Sequence, residues 1–500
     1  MKSHLRKLAV LLLAALMMMS LVSCAVIQGN GPATDDPNGG TNAESGDDQN
    51  YVCDLPDDLN YNGEEVNIMF VKVAGRDDEL VSEELGHGTI SDAVYERNVA
   101  VENQLGVKLV FVDQATDASA QTAINTAVKG GDRSLDMFVI GTYCAVAPAI
   151  SGCYLNLNAI DTVDTSKHYW SQDYNEIVTF TSENKQFLAT SPAAISLFRL
   201  TYLTIFNRDL FEDRKLPDLY DTVKNGDWTL DYQYGLASDV WVDDDGDGKE
   251  SEDDFYGFIT GSCISVDAYC VASDIHLVTR DETGYMAYNA DKLERLVEMS
   301  EKVSALYNAQ GTYVFQGQPK DDIGLHFIIE KFAEKKGLMA TTQFLSVEHN
   351  INDLAGFNYG IVPMPKLNKA QTEYKTYVQD QVSAFGISAA IGDEDRQTML
   401  GAVMESMAYN SYLTVRPAYY DSALSLRFMQ DPESRAILDT MFQTISFDYT
   451  YVTDVGGVRG TLRSLLPSKN PAVASREKNW NRTITNQLKR DNASIEKLEN

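Results

Sequence analysis

A run of acidic residues with regular spacing is the strongest candidate for metal chemistry in this sequence. The segment DDDGDGKESEDD occupies positions 243–254. Its oxygen donors have the spacing of an EF-hand loop, in which positions 1, 3, 5, 7, 9 and 12 converge on one calcium ion. The predicted ligands are Asp243, Asp245, Asp247, the Lys249 carbonyl, Ser251 and Asp254, with Gly248 at the turn position.

Two features of the acidic loop depart from the EF-hand pattern. Glu250 stands where an apolar residue is usual, and Asp254 replaces the bidentate glutamate. The alternative is a solvated acidic turn. We interpret the segment as a structural calcium site.

A cysteine marks the border between an apolar and a polar N-terminal segment. Residues 8–22 are almost wholly apolar and follow a basic start, which is the layout of a secretory signal peptide at 1–23. Leu21-Val22-Ser23-Cys24 fits a bacterial lipobox, whose cysteine is alkylated by a diacylglyceryl group. Two acyl chains suffice for stable anchoring. We therefore predict lipidation of Cys24, the alternative being a plain signal peptide with an incidental cysteine.

The segment after the lipobox has the composition of a linker. Residues 25–50 are rich in Gly, Asn, Asp, Thr and Pro and contain no Lys or Arg, so they cannot bury enough apolar surface to order themselves. We predict a flexible tether at 24–50 that holds a soluble body, beginning near Tyr51, at the extracytoplasmic face of the cell membrane.

The remaining cysteines suggest two short disulfide loops. No CxxC pair occurs, which disfavours zinc and thioredoxin-like sites, and export permits disulfides. Cys144 with Cys153, and Cys263 with Cys270, are close enough in sequence to pair, leaving Cys53 over. The alternative, with all five reduced, is equally compatible with the sequence.

Composition and motifs exclude several classes of function. The chain carries 73 Asp+Glu against 41 Lys+Arg, a net charge of −32, and such acidity repels nucleic acid. HExxH, GxSxG and P-loop motifs are absent from the sequence. Its six histidines form no metal-like pair. Carboxylates are plentiful, but no two stand out as a glycosidase pair, so we predict a protein that is not an enzyme.

The first elements of the body alternate between strands and helices. Such alternation predicts βαβ units and a parallel sheet, whose ligands lie beyond the carboxyl ends of the strands. The segment GTYCAVAP at 141–148 follows the third strand and is therefore a candidate ligand rim. The predicted elements are a strand at 64–73, a helix at 91–106 starting from Ser91, a strand at 107–112, a helix at 117–131 and a strand at 135–141.

Elements farther along the chain are predicted from the same patterns. Residues 170–207 are rich in strand-forming residues. The other predicted elements are helices at 208–217, 291–307 and 395–412, a turn followed by a helix at 225–240, a helix followed by a strand at 330–344, a strand that runs into a proline-fixed loop at 357–366, and a helix-compatible C-terminus.

Six segments, taken in order, resemble extracellular solute-binding proteins of ABC importers, in the carbohydrate-type group that includes maltose-binding protein. The resemblance covers roughly residues 60–450, and each motif is weak alone. The segments are SDAVYERNVAVENQLGVKLVF, TYLTIFNRDLFED, NGDWTLDYQYGLA, KKGLMATTQF, FNYGIVPMPK and PAYYD.

The resemblance implies an α/β fold of two lobes, a periplasmic-binding-protein-like clamshell with hinge strands and the ligand between the lobes. It places the chain crossings near 193–203, 325–335 and 375–388. The implied division assigns 51–195 and 330–378 to lobe 1, and 196–329 and 379–500 to lobe 2.

The resemblance also implies the function: a monomer that captures a carbohydrate, in our interpretation an oligosaccharide, and delivers it to an ABC permease. Sugar-binding proteins stack aromatic rings on pyranose faces. Our candidates are Tyr143 at the end of the third strand, Trp170 in a polar stretch, and Tyr419 and Tyr420 of PAYYD. A surface glycoside hydrolase and a binder of peptides or other polar solutes remain the alternatives.

Overall fold

The computed structural model describes residues 53–180, 185–316, 325–351, 355–426 and 431–498. The predicted signal peptide, the tether and Cys24 lie outside these described residues. No helix within the described ranges is both long and apolar enough to cross a membrane.

The elements are numbered in chain order. The strands are β1 (Glu64–Val71), β2 (Val107–Gln114), β3 (Met137–Gly141), β4 (Tyr202–Asn207), β5 (Trp241–Val242), β6 (Phe255–Gly261), β7 (Val278–Arg280), β8 (Met286–Tyr288), β9 (Thr312–Phe315), β10 (Gly337–Gln343), β11 (Tyr359–Pro363), β12 (Thr376–Tyr377), β13 (Ser383–Ile387) and β14 (Ile445–Ser446).

The helices follow the same order. They are α1 (Thr89–Leu105), α2 (Asp117–Gly130), α3 (Thr142–Ile150), α4 (Gln172–Val178), α5 (Ser196–Arg199), α6 (Arg208–Asp213), α7 (Leu219–Lys224), α8 (Leu230–Ala237), α9 (Ile264–Ala272), α10 (Leu293–Tyr307), α11 (Leu325–Ala333), α12 (Phe344–Ser346), α13 (Glu394–Leu413), α14 (Val415–Leu424), α15 (Pro432–Gln443), α16 (Tyr449–Thr453), α17 (Val458–Leu465) and α18 (Glu477–Ile495).

Local sequence signals set the ends of the first two helices. Gly106 ends α1 in the left-handed conformation, with φ 61°, where glycine has no steric penalty. A Cβ atom there would also lie 2.3 Å from the side-chain oxygen of Asn60. Thr116 caps α2 through a reciprocal pair of hydrogen bonds with Ser119. The predicted start of α1 at Ser91 is two residues late, because the helix begins at Thr89.

The first sheet confirms the predicted parallel βαβ units. Its strand order is β13-β3-β1-β2, with β1 parallel to both β2 and β3 and with β13 antiparallel to β3. The carboxyl ends of β1, β2 and β3 therefore lie at one edge of the sheet, where the loops that follow these strands meet.

The second sheet has the order β11-β4-β10-β6-β5, with β9 added beside β6. Strand β10 is antiparallel to β4 and parallel to β6. Because β4 runs opposite to β6, the start of β4 lies at the same edge as the ends of β6 and β10.

The implied assignment of 330–378 to lobe 1 is wrong. Strands β10 and β11 both pair with β4 and therefore belong to the second lobe. The assignment of all of 379–500 to lobe 2 is also wrong, since β13 completes the first sheet and α13 packs against α1. Strand pairing is a long-range property that local motifs do not encode.

The chain therefore crosses between the lobes at different places than expected. It enters the second lobe between α5 and β4, where Thr201 bridges Val378. It returns between β12 and β13. It leaves the first lobe again after α14, because α14 packs against α1 whereas α15 packs against β11.

The prediction of a strand-rich segment at 170–207 is mostly wrong. The described part of this segment contains α4, α5 and only one strand, β4. Residues such as Ala189 make single β-bridges, in this case with Phe385. A short apolar run that pairs at one residue has the same local pattern as a full strand.

Candidate ligand site between the lobes

One carboxylate in the first lobe connects the loops that follow three parallel strands. Asp117 is the first residue of α2, directly after β2. Its Oδ2 accepts hydrogen bonds from Arg76 Nη2 at 2.6 Å and from the Tyr143 hydroxyl at 3.2 Å. Its Oδ1 accepts from the Gly141 backbone N–H at 2.6 Å. We call Arg76, Asp117 and Tyr143 the Asp117 junction.

The Asp117 junction combines a buried ion pair with an exposed ring. Arg76 is 1% exposed and Asp117 4%, whereas Tyr143 is 37% exposed. Nε and Nη1 of Arg76 have no hydrogen-bond partner among the described residues. Partial burial and the neighbouring Asp117 carboxylate raise the pKa of the Tyr143 hydroxyl, which stays a donor. The junction thus offers an accessible ring above buried polar groups.

The turn between β12 and β13, through which the chain returns to the first lobe, connects this junction to the second lobe. The Asp380 carbonyl accepts from the Tyr143 backbone N–H at 3.0 Å. The Asp380 carboxylate accepts from Arg459, which lies in α17. Burial raises the pKa of Asp380, although Arg459 opposes that shift. Asp380 therefore contacts both lobes through different atoms.

A second buried ion pair lies at the carboxyl end of β6. Asp267 in α9 is fully buried and accepts from Arg463 Nε at 3.0 and 3.1 Å. Burial raises the pKa of Asp267 to about 6 against the effect of Arg463, and Asp380 adds to the increase.

The polar groups between the lobes are balanced in charge. Three arginines, Arg76, Arg459 and Arg463, are paired with Asp117, Asp380 and Asp267 respectively. The two charges of each pair cancel, and among these six side chains only Arg459 and Arg463 are more than one-tenth exposed. Such a site suits a neutral polar ligand better than a strongly charged one.

Arg199 joins the lobes at the first crossing. It donates to Asp78, in the loop after β1, with Nη2 to Oδ2 at 3.0 Å, and to Glu348 Oε2 in the second lobe at 3.2 Å. Its guanidinium also lies 5.8 Å from the centre of the Tyr419 ring. Burial raises the pKa of Glu348 to about 7, against the effect of Arg199.

The predicted ligand residues Tyr419 and Tyr420 line a cavity of about 330 Å³ at the last crossing. Tyr419 is only 1% exposed and stacks on Phe198 with ring centroids 5.4 Å apart. Tyr420 is half-buried and its hydroxyl donates to Asp439. The lining residues are Phe198, Arg416, Pro417, Tyr419, Tyr420, Asp439, Phe442 and Gln443. Tyr419 is covered too completely to stack on a ligand, which corrects its predicted role, and Tyr420 is the accessible candidate of the two.

Trp170 is placed away from the other candidates. It is 3% exposed and packs in the hydrophobic core of the first lobe. Its Nε1 donates to Glu405 Oε2 of α13 at 3.1 Å. A ring covered on all sides in this way cannot stack on a ligand, so the geometry assigns Trp170 to packing.

Sequence reasoning missed the charged residues of the candidate site. Asp117 could have been found, because it follows β2 just as Tyr143 follows β3, and the rule of strand ends applies to both. Arg76 lies five residues beyond β1, and Arg459 and Arg463 lie in a C-terminal helix. No local pattern marks these three arginines.

The acidic loop brings together half of its predicted ligands. Carboxylate oxygens of Asp243, Asp245 and Asp247 lie within 4.8 Å of one another, which fits a divalent cation. Asp254 instead accepts from the backbone N–H of Ser251 at 2.9 Å and of Asp244 at 3.0 Å, and from Trp241 Nε1. Its carboxylate thus holds the loop backbone rather than the cluster.

The two predicted disulfides are not formed. All five cysteines in the described ranges are free thiols. Cys263 precedes α9 and Cys270 lies near its end, and seven residues of helix separate two Cα atoms by about 10 Å, beyond the reach of a disulfide. Cys144 in the first turn of α3 and Cys153 beyond its end are separated by most of that helix for the same reason.

Solved structures share this fold, although no family model matches the chain and no curated protein matches its sequence. A sugar transporter from Rhizobium etli in an open conformation matches with TM-score 0.52, 13% identity, 84% of this chain and 99% of its own. The maltose-binding protein MalE from Listeria monocytogenes, in complex with maltose, matches with TM-score 0.51, 13% identity and coverage of 85% and 99%.

A third similar structure is the maltose/maltodextrin-binding domain MalE from Bdellovibrio bacteriovorus bound to maltotriose. Its TM-score is 0.50 at 14% identity, and the match covers 85% of this chain and all of that domain. The fold is thus the two-lobed α/β fold of periplasmic solute-binding proteins.

Proposed function

We propose that this protein is a solute-binding protein of an ABC importer that captures an oligosaccharide between its two lobes. The observation that carries the proposal is the Asp117 junction, which lies at the carboxyl ends of three parallel strands and contacts the turn between β12 and β13 at Asp380. Ligands of open α/β sheets bind at such strand ends.

The chemistry of the site favours a carbohydrate. Tyr143 offers a partly exposed ring for a sugar face, and the hydrogen bond from its hydroxyl to Asp117 holds that ring in place. The paired charges around them leave little net charge, which suits the hydroxyl groups of a neutral sugar. Two of the similar structures hold maltose and maltotriose, which supports this ligand class.

Capture follows from contact with both lobes. A sugar that bonds to the Asp117 junction on one side and to groups near Arg459 and Arg463 on the other makes all its contacts only when the lobes are closed. Binding then shifts the population toward the closed state by the difference in affinity. The closed form is the state that we expect the permease subunits to recognise.

Calorimetry against a panel of glycans tests the proposal. We expect saturable binding without hydrolysis products in the same wells, and at least tenfold weaker binding by Tyr143→Ala, equivalent to about 1.4 kcal/mol. Tyr234→Ala is the matched control, since Tyr234 is 41% exposed on α8. Hydrolysis of any glycan would contradict the proposal and indicate a glycoside hydrolase. Binding to members of a peptide library but to no glycan would contradict a sugar ligand.

We extend the proposal to location, partners and metal. The lipobox supports a lipid anchor at Cys24 on the extracytoplasmic face of the membrane, and the acidity of the chain supports the absence of nucleic-acid partners. The protein acts as a monomer that meets the permease. The Asp243, Asp245 and Asp247 cluster supports a structural calcium ion.

A further inference from the structure

The lobes also touch along α4, at residues that the proposed ligand site does not use. Strand β14 of the second lobe pairs with β12, just before the chain returns to the first lobe. Directly after β14, the Phe447 backbone N–H donates to Asp173 Oδ2 at 2.7 Å. Asp173 lies in the first turn of α4, so this contact is close to the crossing.

The other end of α4 is held by an arginine of the second lobe. Arg280 ends β7, and its Nη2 donates to the backbone carbonyls of Glu176 at 2.7 Å and Thr179 at 2.5 Å. Its Nη1 donates to the Gly284 carbonyl of its own hairpin at 2.7 Å. The guanidinium therefore joins the β7–β8 hairpin to the last turn of α4.

Helix chemistry makes this contact favourable. The last carbonyls of a helix have no partner within the helix, and the helix dipole places partial negative charge there. The planar guanidinium holds both carbonyls through Nη2 while Nη1 stays bonded to Gly284, an arrangement that a single lysine ammonium reproduces less well. The Glu176 carboxylate adds an attraction to the Arg280 charge.

We propose that Arg280 is a closure latch, which caps the end of α4 across the two lobes when they are closed and is released when they open. The Arg280 contact lies about 9 Å farther along α4 than Asp173. Rotation about a hinge at the crossing therefore moves the two sides of the Arg280 contact farther apart than those of the Phe447 contact. The proposal rests on the proposed function in one respect, namely that closure of the lobes captures the ligand.

Arg295 provides a matched control within one lobe. It donates through Nε to the Ser273 carbonyl, at the end of α9, at 2.6 Å, and through Nη2 to Gln371 Oε1 at 2.7 Å. It is thus also an arginine that caps a helix end, but all its partners lie in the second lobe. Opening of the lobes does not change its contacts.

Small-angle X-ray scattering of the ligand-free full chain tests the latch. We expect Arg280→Gln to have a larger radius of gyration than the wild type, by about 1 Å on the ~23 Å typical of a compact chain of this size. Arg280→Lys should give an intermediate value, and Arg295→Gln should match the wild type. Equal radii for Arg280→Gln and the wild type, or equal expansion in both glutamine variants, would overturn the proposal.

A second measurement uses maltotriose as the probe sugar at saturation. We expect it to restore the wild-type radius in Arg280→Gln with about tenfold weaker affinity, while Arg295→Gln keeps the wild-type affinity. If no glycan binds, the proposed function fails but the ligand-free scattering still decides the latch. If circular dichroism shows that Arg280→Gln is unfolded, the radius of gyration of Arg280→Lys is compared with that of the wild type instead, and an equal radius overturns the proposal.

Discussion

At the scale of single residues, the candidate site depends on one buried carboxylate. Asp117 collects the loops after β1 and β3 and pairs with Arg76, both of them almost fully buried. A buried pair of this kind adds little net stability, but removal of one partner leaves an unpaired charge in the interior. Asp117 therefore links the stability of the first lobe to the geometry of its ligand edge.

Replacement of Asp117 by Asn tests this link. The variant keeps the shape of the side chain but leaves the Arg76 guanidinium without its counter-charge, so we expect a loss of about 3 kcal/mol in the free energy of unfolding. Urea unfolding measures it. Lys108→Gln is the control, because Lys108 pairs with Glu65 on the surface, and we expect no measurable change. Equal losses in the two variants would contradict the prediction.

His276 gives the second lobe a pH-dependent contribution to stability. Burial lowers the pKa of His276, but hydrogen bonds to Asp274 and Asp448 outweigh it and raise the pKa to about 10. Because the folded-state pKa exceeds the unfolded value near 6.5, this stability is complete below about pH 6.5 and is lost as the pH rises to about 10.

His276→Gln should show that dependence directly. We expect the variant to be less stable than the wild type by about 2 kcal/mol at pH 6, the contribution of hydrogen bonds to a charged group, and the difference to vanish above pH 10. Chemical unfolding at both pH values measures it. The control is His87→Gln, at an exposed ring. A difference that does not depend on pH would refute the role of protonation.

Residue roles were predictable only where the chain order determines position. The end of a strand is visible in sequence, so the place of Tyr143 at the ligand edge was predicted, although its role in binding remains a prediction. Trp170 was misplaced, because a polar stretch in sequence does not show that Glu405, far along the chain, covers the ring. Arg459 and Arg463 were missed for the same reason.

At the scale of elements, periodicity predicted helices and strands better than their partners. Strands β1, β2 and β3 and helices α1, α2 and α13 lie within a few residues of their predicted ranges. The predicted assignment of β10 to the first lobe was wrong. A buried strand has the same sequence pattern in either sheet, and only the pairing of β10 with β4 and β6 places it in the second lobe. The exchange of β13 into the first sheet has no local signal either.

The acidic loop before β6 is an element whose stability we expect to depend on calcium. A cation that binds only the folded state adds about 2.7 kcal/mol at one hundred times its Kd, and three carboxylates converge in this loop. Melting of the wild type should rise in calcium relative to chelator, and Asp245→Ala should abolish the rise. Glu282→Ala, at an exposed acidic residue, is the control. An unchanged wild-type melting temperature would refute a stabilising ion.

At the scale of the whole molecule, three chain crossings connect the lobes that contain the two large sheets. Two groups at the crossings contact both lobes: Arg199 pairs with Asp78 and Glu348, and Asp380 contacts Tyr143 and Arg459. Such connections couple the ligand edge of each lobe to the hinge, which is what a capture mechanism by closure requires.

The N-terminal sequence predicts where this body works. If Cys24 carries the lipid, the wild type expressed with its own signal peptide partitions into the membrane fraction, and its intact mass begins at Cys24 with added acyl chains. Cys24→Ala should lose the acyl mass and the lipid-dependent membrane retention. Cys53→Ala is the matched control, since Cys53 lies at the start of the described body and outside the lipobox, and it should behave as the wild type. A wild type without acyl mass, together with equal membrane retention of Cys24→Ala, would remove the anchor from the proposed function and leave a secreted binding protein.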